Sequence, residues 1–147
     1  MNPMIMRFLV LAAMALATFS MQSRARAEGI SDTDMLKVQT VIAAQLAALT
    51  ADDADRAFET ATPEVRQDVG SAERFLQLVR STYPMVYRHS AANFLKPEVE
   101  RGQVMQLVQL RDANEKTWLV LFALERQADD TWRIGSCLVA ETRQQDV

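Results

Sequence analysis

Few residues of this chain have the chemistry of a catalytic or metal site, and the first to consider is the single histidine, His89. Ser90 follows it directly, but neighbouring residues of a strand face opposite sides, so the two form a nucleophile and base only if the strand bulges there. A histidine-centred metal site would need carboxylates or Cys137 as further ligands, and no such spacing occurs. We interpret His89 as a partly exposed, non-catalytic residue, and we expect neither a metal nor a cofactor.

An acidic cluster, Asp52, Asp53 and Asp55, has the composition of a calcium loop. It lacks the glycine at the sixth loop position and the glutamate at the twelfth. Asp52 and Asp53 instead fall in the first turn of a predicted helix, where the helix dipole favours negative charge. Glycine-rich phosphate-binding patterns are absent as well, because the four glycines stand singly at 29, 70, 102 and 135.

Aromatic rings with polar tips are the best candidates for a binding pocket, since they both pack against a ligand and orient it. The candidates are Tyr83, Tyr87, Arg88, Trp118 and Trp132. The alternative is a place in the core or at its rim, because Trp118 and Trp132 begin strands directly after turns, where large rings close the end of a core. Most acids lie in predicted caps and turns, so Glu125, on a predicted strand, is the only candidate for a general base.

The elements that position these residues begin with helices. Ser31 is a good N-cap with Asp34 in the capping-box position, and apolar residues then recur at three- and four-residue spacing from Met35 to Leu49. Gln45 lies largely off this apolar stripe. The pattern predicts an amphipathic helix that covers an apolar surface.

Two further helical segments follow. Thr50 with Asp53 repeats the cap signature and begins the second, which ends at Thr62-Pro63, where a further turn opens and stops at Gly70. The third runs from Ser71 to Tyr83-Pro84, since a residue before proline avoids the helical region.

Four strands are predicted over residues 86–96, 103–111, 118–127 and 132–140. Their short connections join antiparallel neighbours, so they form a meander. In the third strand both alternating sets of side chains are apolar, which indicates cover by helices on one face and by a partner chain or sheet curvature on the other. The predicted fold class is α+β: three N-terminal helical segments on a curved four-stranded antiparallel sheet, a cone with an open end that could dimerise through the sheet.

The amino terminus has the parts of a secretion signal: a positive start ending at Arg7, an uncharged run over residues 8–21, and the small residues Ala25 and Ala27 at a cleavage site. A membrane span needs about 20 apolar residues, and this run has 14, so we expect cleavage rather than an anchor. The lone Cys137 lies far from the signal, which excludes a lipoprotein. We expect cleavage after Ala27, a periplasmic or secreted location, no stable membrane insertion, and one α+β domain over residues 28–147.

Removal of residues 1–27 takes away three of the 16 basic residues and no acid, which leaves 13 basic and 19 acidic residues and a net charge of −6. This balance argues against a nucleic-acid partner. One cysteine cannot form an internal disulfide, so packing must supply the stability. The apolar flanks of Cys137 favour a buried thiol, and pairing between chains is the alternative.

A family resemblance rests on residues spread over the predicted domain: Gln45-Leu46, residues 52–58, Thr62-Pro63, Phe75, Tyr83-Pro84, Tyr87-Arg88, and residues 132–134 with Cys137. Over about residues 38–140 the chain resembles an exported bacterial family known only as domain of unknown function 4864. Its layout is similar to the cone-shaped fold of the nuclear-transport-factor-two-like group, which includes ketosteroid isomerase, dehydratases and many non-catalytic modules. The resemblance implies a periplasmic setting and supplies no catalytic residue.

Two hypotheses follow. The first is an exported, non-catalytic module that binds an unknown small apolar ligand or a protein partner at the open end of the cone. The second is a pocket enzyme of the isomerase or dehydratase kind, with Tyr83 or Tyr87 as hydrogen-bond donor and Glu125 as base.

Export predicts a defined mature terminus. Expression of the full chain in a Gram-negative host should give a periplasmic protein that begins at Glu28, because the run over residues 8–21 is too short to remain as a span. Cell fractionation with amino-terminal sequencing checks this. Recovery of the uncleaved chain in the membrane fraction would contradict it.

Overall fold

The computed structural model describes residues 29–142, so the predicted signal over residues 1–27 lies outside the described residues. Its helices are α1 (Asp32–Thr50), α2 (Ala54–Glu59), α3 (Pro63–Val69), α4 (Ala72–Thr82) and α5 (Pro84–Tyr87). Its strands are β1 (His89–Phe94), β2 (Glu98–Glu100), β3 (Gln103–Asp112), β4 (Thr117–Arg126) and β5 (Trp132–Glu141). The helices precede an antiparallel sheet, which confirms the α+β class. Within this part of the chain, no helix has the length and apolar character needed to cross a membrane.

Helix α1 begins where the cap signature predicts. The Ser31 hydroxyl accepts a hydrogen bond from the Asp34 N–H at 3.1 Å, which satisfies one of the free donors of the first turn. The apolar stripe is buried: Val38, Ile42 and Leu49 are all 0% exposed. This helix therefore supplies one side of the core.

The predicted helix start at Thr50 is wrong, because α1 continues through that residue. The Thr50 hydroxyl donates to the Leu46 carbonyl at 3.0 Å and does not cap a new helix. Leu49 is fully buried, so packing keeps the last turn of α1 helical even though Thr50, which follows, is a residue type that favours N-caps.

The second helix is capped by Asp53, whose carboxylate accepts the Arg56 N–H at 3.2 Å. Asp52 precedes it in the left-handed region at φ 54°, and the Asp53 N–H donates to the Ala48 carbonyl at 2.8 Å. The placement of Asp52 and Asp53 in the first turn is therefore also wrong, since one lies in the link and the other is the cap.

The later helix boundaries agree with the sequence. Thr62 caps α3 by accepting the Val65 N–H at 3.3 Å, and Gly70 ends that helix at φ 96°. Ser71 caps α4 in the same way. Phe75 of α4 is 8% exposed, as the predicted buried side requires.

The first strand begins later than predicted. Residues 84–87 form a helical turn in which the N–H groups of Val86 and Tyr87 donate to the Tyr83 carbonyl at 2.9 and 3.1 Å. Pro84 at the first helical position has the φ that a helix needs and no N–H to leave unsatisfied. Val86 is buried by this turn, so its apolar character reflects a helical contact rather than a strand.

The sheet has five strands rather than four, in the order β1-β3-β4-β5 with β2 also paired to β3. β1 and β2 pair with the two halves of the same edge of β3. Pro97 lies between them and has no N–H to donate to the ladder. Across this break the Gln106 side-chain amide donates to the Leu95 carbonyl at 2.6 Å. β2 has only three residues, Glu-Val-Glu, which are too few for their alternation to reveal a strand.

The two faces of the sheet differ. The middle of the helix-facing side of β3 and β4 is buried, and its 0%-exposed members are Gln106, Val108, Leu110, Val120, Phe122 and Leu124. The opposite side, which we call the outer face, carries half-buried residues such as Leu107 and Leu121 and, on β5, Leu138 at 66% exposure. The prediction that β4 is apolar on both faces is confirmed, and the helices cover one of them.

A polar cluster fixes the start of α1 against the end of the sheet. Asp34 accepts hydrogen bonds from the Trp132 indole at 3.2 Å and from the Arg126 guanidinium at 2.6 Å. The same guanidinium lies over the Trp132 ring, 5.0 Å from its centroid. The helix cap and the hairpin between β4 and β5 are therefore joined by one carboxylate.

Replacing Asp34 with asparagine should change how the free energy of unfolding depends on pH. The Trp132 indole, followed by Ser31 and Arg126, holds the pKa of Asp34 below its ordinary value of 3.8, although partial burial acts in the other direction. A carboxyl group whose pKa is lower in the folded than in the unfolded state contributes its full stabilisation at pH values above the unfolded-state pKa. That stabilisation is lost as the pH falls through the folded-state pKa. The difference in free energy of unfolding between wild type and Asp34→Asn should be largest near neutral pH and shrink below about pH 4.

Urea denaturation followed by circular dichroism between neutral and acid pH measures this difference. Asp32→Asn is the matched control, since Asp32 is exposed in the same first turn. A difference that stays constant down to about pH 3 would contradict the assignment of Asp34.

Candidate functional site

A cavity of about 100 Å³ lies between α3, α4 and the middle of β5. Its wall is formed mainly by apolar side chains, and none of the residues that line it is charged. The lining residues are Gln45, Ala61, Val65, Phe75, Leu78, Val79, Tyr83, Val86, Ile134, Gly135, Ser136 and Cys137. A group that fits this space must be small and uncharged, because no lining residue could compensate a buried charge.

Two polar side chains mark one part of the wall. Gln45 is 5% exposed, and its side-chain nitrogen donates to the Thr60 hydroxyl at 3.0 Å. The Thr60 hydroxyl donates onward to the Ala57 carbonyl at 2.6 Å, so this chain fixes the orientation of the Gln45 amide. Tyr83, half-buried, lines the same cavity. The site therefore combines apolar packing with an oriented amide.

The β5 side of the cavity is shaped by a bulge. Leu124 pairs with Ile134 and Ala123 with Ser136, which leaves Gly135 as the extra residue. A side chain at 135 would lie 3.4 Å from the Glu125 carboxyl carbon. Two main-chain hydrogen bonds join Ile134 to the segment between α2 and α3. The Thr62 N–H donates to the Ile134 carbonyl at 3.0 Å, and the Ile134 N–H donates to the Thr60 carbonyl at 2.8 Å.

The thiol of Cys137 faces this space without the properties of a nucleophile. Burial raises the pKa of Cys137 to about 12, so the neutral thiol predominates at physiological pH. The thiolate is the nucleophilic form. Cys137 therefore acts here as a half-buried apolar lining residue, in agreement with the interpretation from its flanks.

The five candidate pocket residues do not converge on one site. Tyr83 lines the cavity. Tyr87 and Arg88 belong to a separate surface cluster, in which the Tyr87 hydroxyl donates to Asp52 and the Arg88 guanidinium donates to Asp52 at 3.0 Å and to the Thr50 carbonyl. These contacts join the end of α1 to the entry of β1, so the cluster has an evident structural role.

The two tryptophans lie at opposite ends of β4. The Trp118 indole donates at 3.0 Å to Asp112, the last residue of β3, and the Trp132 indole donates to Asp34. Trp132 pairs with Arg126, eight residues along the strand from Trp118, a separation of about 26 Å. Their positions agree with the alternative given by the sequence, in which they close the two ends of the core.

Glu125 lies on the outer face of the sheet. It pairs with Gln103, whose side-chain amide donates to its carboxylate at 2.8 Å, while the neighbouring Leu124 faces the core. Tyr83 lines the cavity on the helix side. The structure therefore does not bring the proposed base and the proposed tyrosine donor together.

His89 and Ser90 also form no catalytic pair. The strand does bulge between His89 and Ala91, as such a pair would require. The Ser90 hydroxyl, however, lies 3.2 Å from both the Arg111 and the Asp112 carbonyl oxygens of β3, to which it donates. Burial lowers the pKa of His89, with an opposing contribution from the Val86 carbonyl, so the ring is neutral at physiological pH.

No group of three potential metal ligands occurs among residues 29–142. Of the acidic cluster, Asp52 pairs with Arg88 and Asp53 caps a helix.

The sequence did not identify the residues that form the cavity other than Tyr83, and Gln45 is the clearest case. It was placed off the apolar stripe of α1, yet it is buried at its edge, three residues after Ile42 and one before Leu46. The available signal in the sequence was an uncharged glutamine directly beside the apolar stripe.

Comparison with known proteins gives one family. The family model described as "Domain of unknown function (DUF4864)" matches residues 31–147. Neither the curated proteins nor the solved structures contain a match.

The raised pKa predicts slow thiol chemistry at Cys137. At about pH 8 the native protein should react with an aromatic disulfide reagent at least about a hundred-fold more slowly than the urea-unfolded chain, because so little thiolate is present. Absorbance of the released thiol measures both rates. A native rate within about ten-fold of the unfolded rate would contradict a buried thiol.

The matched control moves the thiol by one residue. Ser136→Cys in a Cys137→Ala background places it at an exposed neighbouring position of the same strand. This variant should react in the folded state at close to the unfolded rate.

Proposed function

Since the chain belongs to the DUF4864 family, whose description assigns no activity, we propose from the site geometry that it is an exported, non-catalytic module that binds a small, uncharged apolar ligand. The observation that carries this proposal is the cavity beside β5, with its apolar wall and no charged lining residue. Binding sites of this kind are concave and mostly apolar, with few polar groups to orient the ligand.

The size of the cavity supports a particular class of ligand. A dry cavity of about 150 Å³ holds a benzene molecule, which has six non-hydrogen atoms, so one of about 100 Å³ holds a group of about four. A short branched alkyl chain or part of a small ring has these dimensions. The Gln45 amide and Tyr83 can orient one neutral polar atom of the ligand.

The arrangement of candidate catalytic groups favours binding over catalysis. A general base must lie within hydrogen-bonding reach of its substrate. Glu125 lies on the outer face, and the Cys137 thiol is held neutral by burial, which raises its pKa to about 12. No lining residue of the cavity is an acid or a histidine, so the cavity offers no strong proton acceptor.

The order of elements, helices first and an antiparallel sheet after them, supports the resemblance to the nuclear-transport-factor-two-like group. The predicted signal over residues 1–27 supports a periplasmic or secreted location. The signal supports a site of action outside the cytoplasm, where small apolar compounds would reach the protein without crossing the inner membrane.

Filling the cavity should abolish ligand binding. Small neutral probes such as acetone, isopropanol and isobutanol should raise the Tm of the wild type, because a ligand that binds only the folded state stabilises it. In Val79→Phe the added ring occupies the space, so the same probes should leave the Tm unchanged. Thermal denaturation followed by circular dichroism measures both effects and reports whether the variant folds.

Leu78→Trp serves as a second test, because Leu78 lies at the cavity and is 46% exposed, so a larger ring there narrows the entrance without repacking the core. Leu36→Trp is its matched control, since Leu36 is 65% exposed and does not line the cavity. The proposal fails if no probe raises the Tm of the wild type, or if Leu36→Trp suppresses the response as strongly as Leu78→Trp.

A further inference from the structure

The outer face of the sheet carries a row of leucines that crosses β3, β4 and β5 and ends at the residue after β1. Leu107 pairs with Leu121, Leu121 pairs with Leu138, and the Leu95 N–H donates to the Leu107 carbonyl at 2.9 Å. Directly opposed residues in antiparallel strands share a face and lie about 5 Å apart. These four side chains, which we call the leucine row, therefore form one continuous apolar strip.

The residues on either side of the leucine row are mostly apolar as well. One flank holds Met105, Ala123 and Ser136, and the other holds Gln109, Leu119 and Ala140. Leu138 is 66% exposed and Leu95 is 36% exposed, so the ends of the row are open to solvent. When one face of an antiparallel sheet is solvated, its strands normally place apolar residues on the covered face and polar residues on the solvated face. At the centre of the outer face the residues are mostly apolar instead.

We propose that the outer face is the interface of a homodimer, in which the leucine row of one copy packs on the leucine row of a second. A two-fold axis that runs along the row, between the two sheets, matches every residue of the row with itself. This is the arrangement of an isologous interface, in which the same patch serves both copies. It also explains why β4 is apolar on both sides.

Charge at the ends of the face agrees with this axis. Glu98, Glu100 and Glu125 lie at one end of the outer face, where Arg133 is the one base paired beside them, so that end is acidic; Arg111 lies at the other end. Rotation about the leucine row reverses the strand direction and sets the acidic end of each copy over Arg111 of the other.

The area of the face fits a dimer of moderate strength. Four strand positions about 4.8 Å apart, each about eight residues long, span about 500 Å² per copy, or about 1,000 Å² in total. Specific interfaces begin near that value, and stable ones bury about 1,600 Å². We therefore expect a dissociation constant in the micromolar range.

Sedimentation velocity over a concentration series tests the proposal on residues 28–147, which include every described helix and strand. The wild type should move from monomer to dimer as its concentration rises through about 1 to 300 μM. Leu138→Glu should remain monomeric, since it buries two charges against each other at the axis. Leu36→Glu should dimerise like the wild type, because Leu36 is equally exposed, at 65%, on α1.

A short bis-maleimide cross-linker gives an independent measurement. Facing sheets lie about 10 Å apart, too far for a disulfide and within reach of such a linker. Leu138→Cys in a Cys137→Ala background should cross-link to its own copy, and Leu36→Cys in the same background should not. Equal cross-linking of the two would contradict an axis at the leucine row.

The proposal is overturned if the wild type stays monomeric throughout the series, or if Leu36→Glu weakens association as much as Leu138→Glu. A monomer whose outer face binds neutral phosphatidylcholine vesicles, with loss of binding in Leu138→Glu, would assign the face to lipid and also overturn it. The cavity is lined by residues of a single copy, so failure of the dimer leaves the test of ligand binding unchanged.

Discussion

The fold depends on one apolar layer, formed where α1 lies across the helix-facing side of β3 and β4. Val38, Ile42 and Leu49 from the helix and Val108, Val120 and Phe122 from the sheet are all fully buried. With a single cysteine, the chain has no internal disulfide to restrict its unfolded state. Loss of one large side chain from such a layer costs about 2–5 kcal/mol, against about 5–15 kcal/mol for the whole stability of a typical domain. Because no disulfide cross-link supports the fold, this packing must hold the other elements in place.

The parts of the structure that follow from short-range pattern were predictable. Ser31, Thr62 and Ser71 cap helices through their own hydroxyl groups, within three residues of the N–H that each one satisfies. Strands β3, β4 and β5 carry long alternating or doubly apolar patterns, and these survive in the structure with boundaries shifted by one residue. Such signals depend on the residues of one element and not on its neighbours.

The features that depend on contacts between distant residues were not predictable. Thr50 and Asp53 are both good caps, and the burial of Leu49 decides between them. Val86 belongs to an apolar run that suits a strand, yet Pro84 and the Tyr83 carbonyl hold it in a helical turn. The cavity was the least predictable feature, because its wall joins residues of α1, α4 and β5, which lie far apart in the sequence. Gln45 enters it only because Thr60, fifteen residues later, accepts its hydrogen bond.

The bulge in β5 determines what each of the two proposed surfaces contains. Before it, Trp132 and Ile134 face the core; after it, Cys137 and Val139 do so, because Gly135 is an extra residue in the strand. Side chains alternate with a period of two, so if the same residues ran as a regular strand without the bulge, the remainder of the strand would turn over. Leu138 would then face the helices, and Cys137 would lie on the outer face. A Cβ at position 135 would lie 3.4 Å from the Glu125 carboxyl carbon, which is an ordinary contact, so it is the extra residue and not its size that matters. The bulge thus assigns the thiol to the cavity and Leu138 to the leucine row, so that one strand contributes to both surfaces.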